Sequence, residues 1–209
     1  MAEKIYVVSV GPGSQEYLIP RAQERINKAK YIAGGERNLK LVDITTKEYF
    51  IIRNNLPELK AFLSQNISAC PVVLASGDAG FYGILKYLKA NFPSEKIEVI
   101  PGISSIQVAF ARLGDMWHDA TLFSVHGRPL EDLLKLMTLS KIAVLTDTHN
   151  TPQAIARLLT EHKLNPFKIA VLNNLCYDDE FIWQGTVQEL VVLDKELLNS
   201  VVVIYNDCR

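Results

Sequence analysis

"LASGDAGFYG", residues 74–83, decides how the chain is read. An apolar run, Pro71 to Ala75, reads as a buried strand. It breaks at Ser76-Gly77-Asp78 and passes through Gly80 and Gly83 around the pair Phe81-Tyr82. A buried strand that ends this way and feeds a helical stretch is one step of a parallel sheet covered by helices. Ligands of such sheets bind beyond the carboxyl ends of the strands, so an acid and two aromatics at that place are candidate binding groups.

The same step recurs on either side. Lys4 to Val10 is β-branched and apolar, hence a strand, and it breaks at "VGPGS" (residues 10–14). Pro20 then opens a helix to about Lys30, because the first-turn N–H groups lack partners anyway. Downstream, Leu56 to Gln65 reads as helix, Phe81 to Ala90 as helix and Ile97 to Ile100 as strand. "PGISS" (residues 101–105) follows, overlapping a helix from Ser104 to Leu113 with apolar residues at Ile106, Ala109, Phe110 and Leu113. Three unusual loops thus fall after three strands and are expected to face one crevice.

After Gly114 the texture changes. Asp115 to Asp119 reads as a connector. Strands are expected at Thr121–Val125, Ile142–Thr146 and Ile169–Leu172, and helices at Leu130–Met137 and Pro152–His162. Glu180–Thr186 and Val201–Tyr205 add strands that read as antiparallel, since too few residues precede the first for a helical crossover. The expected architecture is therefore α/β, with two α/β domains divided near residue 115, 1–115 and 116–209.

Composition narrows the function. The 209 residues carry 22 basic and 23 acidic side chains, net −1, scattered along the chain, which argues against bulk binding to nucleic acid or an anionic membrane. No apolar stretch approaches the roughly 18 residues of a membrane span, and the first residues lack a signal-peptide pattern. The three cysteines, Cys70, Cys176 and Cys208, fit no zinc spacing, and the four histidines form no His-x-x-x-His pair, so no metal site is expected. The odd, low cysteine count suits a reducing compartment, and without a span or a signal-peptide pattern the expected location is cytoplasmic.

A dinucleotide cradle fails on inspection. Gly11-Pro12-Gly13-Ser14-Gln15-Glu16 lacks the third glycine of G-x-G-x-x-G and spends one position on a proline without an N–H, and no G-x-x-x-x-G-K-[ST] exists. Alone, Gly-Pro-Gly is a tight turn, Asp78 a cap for the helix beginning near Gly80, and Ser104 and Ser105 caps for the next.

Together and in this order, "VGPGSQEYL", "ASGDAGFYG" and "VIPGISSIQVAFARLG" resemble the tetrapyrrole methylases, a class of S-adenosylmethionine-dependent methyltransferases, and the similarity runs through nearly all of the chain. Within that family, "FSVHGR" (123–128), "VLTDTHNTP" (144–152) and "NNLCYDDEFIWQGTVQEL" (173–190) are most similar to the enzymes that methylate carbon 5 of the corrin precursor precorrin-7, usually as its cobalt complex, in vitamin B12 synthesis. The resemblance implies an N-terminal domain with the three loops, a C-terminal α/β domain, and S-adenosylmethionine folded into the cleft between them. Matched residue by residue, the cofactor positions are Pro12, Gly77, Asp78, Phe81, Ser104 and Ser105, with Thr146 and the region of Asn174 from the second domain. It also implies a homodimer, and a separate chain for the carbon-15 methylation and decarboxylation that fused relatives perform.

Four positions depart from the family pattern. Ala79 stands where proline is common, Cys176 where glycine is, Asn173 where glutamate is, and Ser9 replaces a frequent glycine. The tetrapyrrole substrate carries many carboxylates, so Arg128, with its two-pronged reach, and His126 beside it are the candidates for substrate recognition and catalysis. Arg112 and His118 are weaker ones. His126 is also a candidate base or orienting donor. The alternatives are a sibling enzyme acting on uroporphyrinogen, a ribosomal RNA nucleotide or the diphthamide precursor, and a non-catalytic tetrapyrrole carrier. The charge balance opposes RNA; the intact loops oppose a carrier.

Overall fold

The computed structural model describes residues 3–206, so Cys208 lies outside the described residues. Its strands are β1 (Ile5–Ser9), β2 (Tyr31–Gly34), β3 (Glu48–Ile51), β4 (Val72–Ala75), β5 (Ile97–Ile100), β6 (Thr121–Ser124), β7 (Lys141–Leu145), β8 (Lys168–Asn173), β9 (Phe181–Gly185) and β10 (Val201–Tyr205). The α-helices are α1 (Pro20–Lys28), α2 (Glu36–Lys40), α3 (Leu56–Gln65), α4 (Leu85–Asn91), α5 (Ser105–Leu113), α6 (Pro152–Glu161) and α7 (Val187–Val191). Contacts gather these elements into two compact units, Met1–Ser105 and Ile106–Arg209, so that nearly all of α5 falls with the second.

In the first unit five parallel strands lie in the order β3-β2-β4-β1-β5. Side chains of a strand alternate between faces, and here both faces are covered. Val72 and Leu74 of β4 pack with Val8, Ile32, Ala22 and Ile26 on the α1 side. Val73 and Ala75 join Val7, Leu59, Leu63 and Leu88 on the side of α3 and α4. That is why the strand reads as an unbroken apolar run. β1, β4 and β5 are neighbours, so their carboxyl ends bring the three loops to one edge of one sheet.

The second unit has the order β6-β7-β10-β8-β9, with β6 and β7 parallel and β10 antiparallel to both β7 and β8. β9 is antiparallel to β8. The two antiparallel strands expected from the short connections are thus present. Because β6, β7 and β8 run the same way, Ser124, Leu145 and Asn173 end at one edge. One core joins Ile142, Val144, Ile169, Val171, Val202 and Ile204 to α6 and α7. Thr151 caps α6 by accepting the Ala154 N–H at 3.2 Å, and Thr186 with Glu189 forms a capping box on α7.

Several elements differ from the sequence reading. The helix expected from Phe81 begins only at Leu85, because Tyr82 takes a left-handed φ of 53° that no helix accepts. Leu130–Leu136 is a 3-10 helix rather than an α-helix. The strands β2 and β3 and the helices α2 and α7 have no counterpart in that reading. Each is only four or five residues long, too short for periodicity to register, and β3 is an edge strand with exposed Tyr49. Among the described residues no helix is long and apolar enough to cross a membrane.

Candidate functional site: two laced sheet edges

At the carboxyl edge of the first sheet the three loops are sewn to one another. Gly11 and Gly77 exchange backbone hydrogen bonds, 3.3 Å from the Gly11 N–H and 2.8 Å from the Gly77 N–H. Both glycines have positive φ, 76° and 62°, a region that costs other residues strain. The Ser9 hydroxyl accepts the Ala79 N–H at 2.9 Å. Asp78 accepts the Gly80 N–H at 2.8 Å on one carboxylate oxygen and the Gly102 N–H at 2.9 Å on the other. Gly102 lies so close that a Cβ there would fall 2.5 Å from the Ser9 Cβ and 2.9 Å from the Gly77 carbonyl oxygen.

This lacing changes how single residues are understood. Asp78 does not cap a helix; it joins its own loop to the Pro-Gly-Ile-Ser-Ser loop 24 residues on. An ionised carboxylate offers about four lone-pair sites, and two are taken, so acceptor capacity remains for a ligand hydroxyl. Ser9, in place of a glycine, contributes a hydroxyl that holds the Ala79 backbone. Gly77 approaches Ser104, where an added Cβ would stand 3.6 Å from the Ser104 Cα. Pro12 is half-buried between Gly11 and Gly13, and Phe81 is half-buried with its ring edge-on to Tyr82 at 4.8 Å. The structure therefore brings Gly77, Asp78 and Ser104 together, with Pro12 beside Gly11 and Ser105 opening α5. Backbone cradles, small hydroxyls, a carboxylate and an aromatic wall suit a polar ligand with a flat face, such as an adenosine.

At the matching edge of the second sheet, Thr146 is buried and exchanges bonds with Ser200. Its N–H and hydroxyl both reach the Ser200 carbonyl at 3.0 Å, and the hydroxyl accepts the Ser200 N–H at 2.7 Å. The Asn173 amide donates to the Ser200 hydroxyl at 2.9 Å and the Leu198 carbonyl at 2.7 Å. Asn174 has a φ of 46°, which asparagine tolerates, and donates to Asp179 at 2.6 Å. Two residues later Cys176, where the family pattern favours glycine, sits at a φ of 69°; the glycine preference has a backbone cause.

His126 and Arg128 are exposed on the turn that follows β6. Asp147, which the sequence reading did not single out, lies beneath it. It is buried and accepts the N–H groups of Gly127 at 2.9 Å, His149 at 2.8 Å and Asn150 at 2.7 Å. Burial pushes its carboxyl up, and the three N–H groups with the nearby His126 outweigh that, so it titrates below the ordinary aspartate value. An Asp followed by Asn at three residues, just past an apolar strand, is the signal that finds it. Arg112 donates to Glu180 at 2.8 Å, and this bond chiefly holds Glu180 below its usual range. Glu180 also accepts the Cys176 N–H at 2.7 Å, so Arg112 braces the loop after β8. His118 is exposed beside Asp119. Among the described residues no group of three or more histidine, cysteine or acidic side chains is arranged to hold a metal ion.

Glycine loops laced at the carboxyl edge of a parallel sheet, in a chain that adds a mixed second sheet, define a two-unit α/β ligand-binding protein. A model of the family "Tetrapyrrole (Corrin/Porphyrin) Methylases" matches residues 4–191, and the chain belongs to that family. It is 36% identical over 195 residues to a probable cobalt-precorrin-7 C(5)-methyltransferase of Methanocaldococcus jannaschii, covering 89% of this chain and 90% of that protein. Identity to the cobalt-precorrin-7 C(5)-methyltransferase of Salmonella typhimurium is 34%, over 95% and 97% of the two. A precorrin-6Y C(5,15)-methyltransferase [decarboxylating] of Mycobacterium tuberculosis is 30% identical, but the match spans 52% of that longer protein. Among solved structures, a precorrin-6Y methylase of Archaeoglobus fulgidus superposes with a TM-score of 0.77 at 22% identity, covering 99% and 100% of the chains. A uroporphyrin-III C-methyl transferase of Thermus thermophilus, complexed with S-adenyl homocysteine, gives 0.76 at 18%, covering 98% of each.

Proposed function

We propose that this protein transfers the methyl group of S-adenosylmethionine to carbon 5 of precorrin-7, as its cobalt complex, in corrin ring synthesis. The observation that carries the reading is the near full-length identity to relatives named for that reaction, 90% and 97% of whose chains are covered. S-adenosylmethionine supplies an activated methyl on a good leaving group, so positioning can provide much of the acceleration. Pro12, Gly77, Asp78, Phe81, Ser104 and Ser105 hold it: glycine backbone approaches the ligand, Asp78 keeps free lone pairs for its hydroxyls, and Phe81 offers a flat wall. Thr146 and Asn174 contribute from the second unit, Thr146 through its methyl and its carbonyl, since its N–H and its hydroxyl are both engaged with Ser200. Arg128 grips a substrate carboxylate in two-point fashion and His126 orients the acceptor.

The enzyme is proposed to act as a homodimer, supported by the exposed apolar side chains Met116, Trp117 and Phe167 of the second unit. Carbon-15 methylation is assigned to another chain, since relatives matched along nearly their whole length are named for carbon 5 alone. The location proposed is the cytoplasm, which the odd, low cysteine count suits. The test is mass spectrometry of purified protein with precorrin-7, cobalt-bound and cobalt-free, plus S-adenosylmethionine. A product one methyl heavier is expected. Tetrapyrrole binding without transfer supports a carrier instead, and transfer only to another tetrapyrrole supports a sibling enzyme.

A further inference from the structure

Among the described residues two charged side chains are buried, Lys141 and Asp147. Lys141 is matched by Asp115 and Asp119, at 3.1 and 3.0 Å. Asp147 instead spends its charge on backbone, and what it holds is the turn Val125-His126-Gly127-Arg128. The Arg128 N–H closes that turn on the Val125 carbonyl at 3.1 Å, and Gly127, third in the turn, takes the left-handed φ of 64° such turns require. One oxygen of Asp147 receives the Gly127 N–H from the middle of the turn. The other receives the N–H groups of His149 and Asn150, which fixes Asn150 so that its amide donates to both ends of the turn, the Val125 carbonyl at 2.7 Å and the Arg128 carbonyl at 3.0 Å.

The remaining N–H groups of the turn are engaged too. Val125 donates to the Leu145 carbonyl at 3.0 Å and His126 to the Ser124 hydroxyl at 3.2 Å. All four backbone donors are therefore satisfied within the protein. The turn keeps no backbone donor for an anionic ligand, and His126 and Arg128 are the exposed side chains that carry chemistry. A buried charge is costly unless fully bonded, and a fully bonded network rigidifies what it touches.

We propose that Asp147 and Asn150 are positioning residues for tetrapyrrole recognition, holding the turn that presents His126 and Arg128 without touching the substrate themselves. This rests on the reading that His126 and Arg128 meet the substrate. Asp147→Asn is the informative change, because the amide oxygen can keep His149 and Asn150 while its NH2 meets the Gly127 N–H donor to donor. Amide hydrogen exchange is expected to lose protection at Gly127 and Arg128 but not along β7 or α6. Loss of one positioning bond predicts a rise in KM for cobalt-precorrin-7 of about tenfold, with kcat changed less than about threefold and S-adenosylmethionine affinity unchanged. In an Arg128→Ala background Asp147→Asn should cost little more, since coupled residues are not additive.

Wild-type KM in Asp147→Asn, with Arg128→Ala impaired, overturns the inference and leaves the substrate reading standing. Wild-type KM in both variants removes the turn from the substrate site and the inference with it. Equal loss of cofactor affinity and of protection throughout the second unit reduces Asp147 to a stability residue and also overturns it.

Discussion

Replacing Asp78 by asparagine keeps the size of the side chain and one of its two acceptor oxygens, and removes its charge. The carboxylate accepts Gly80 at 2.8 Å and Gly102 at 2.9 Å. An amide can serve only one of them. The Gly80 bond lies in an exposed turn and can pass to water, so the oxygen stays with Gly102, whose bond is part-buried. The fold then loses only the difference between a charged and a neutral acceptor, about 1 kcal/mol. For a chain of this size that lowers Tm by about 2–4 °C. The ligand loses more. If the free lone pair of the Gly80-side oxygen receives a cofactor hydroxyl, the NH2 that replaces that oxygen cannot accept it, a charge-assisted bond of about 1.5–3 kcal/mol is lost, and S-adenosylmethionine affinity falls roughly tenfold to a hundredfold. Asp78→Ala leaves the Gly102 N–H without its acceptor and costs about 1–3 kcal/mol of stability as well. Isothermal titration with S-adenosylmethionine and S-adenosylhomocysteine, beside thermal unfolding, separates the effects. A loss shared by both ligands places Asp78 at a hydroxyl; a loss confined to S-adenosylmethionine places it near the sulfonium charge. An asparagine variant that binds both as the wild type does refutes the ligand role and leaves Asp78 as a brace between loops.

Gly102→Ala drives a Cβ into Ser9 and the Gly77 carbonyl, so overpacking should cost about 1–3 kcal/mol in thermal unfolding and impair S-adenosylmethionine binding in the same titration. Arg128→Lys keeps the charge but not the planar fork, and steady-state kinetics should show kcat/KM for the tetrapyrrole down by roughly tenfold to a hundredfold with cofactor affinity intact; wild-type kinetics would remove Arg128 from the substrate site. Light scattering at micromolar concentration should report twice the 23.4 kDa of one chain, and a single-chain mass would remove the dimer proposal.

The sequence by itself determined the elements whose cause is local. Pro71–Ala75 is apolar throughout because both faces of β4 are covered, and Pro20 marks the start of α1 because a helix tolerates proline there. The glycines of the three loops, read in order, carried the family, since positive φ and close backbone approach restrict which residues fit. Tertiary structure decided what those loops do to one another. That Asp78 reaches Gly102, that Ser9 holds Ala79 across 70 residues, and that Asp147 and Asn150 grip the turn of His126 and Arg128 are long-range hydrogen bonds. No periodicity or spacing encodes them, because their partners meet only after β1, β4 and β5 lie side by side and β6 pairs with β7. For the same reason β2 and β3 escaped notice: four residues are too few to show a pattern, and their strand character comes from the neighbours they pair with.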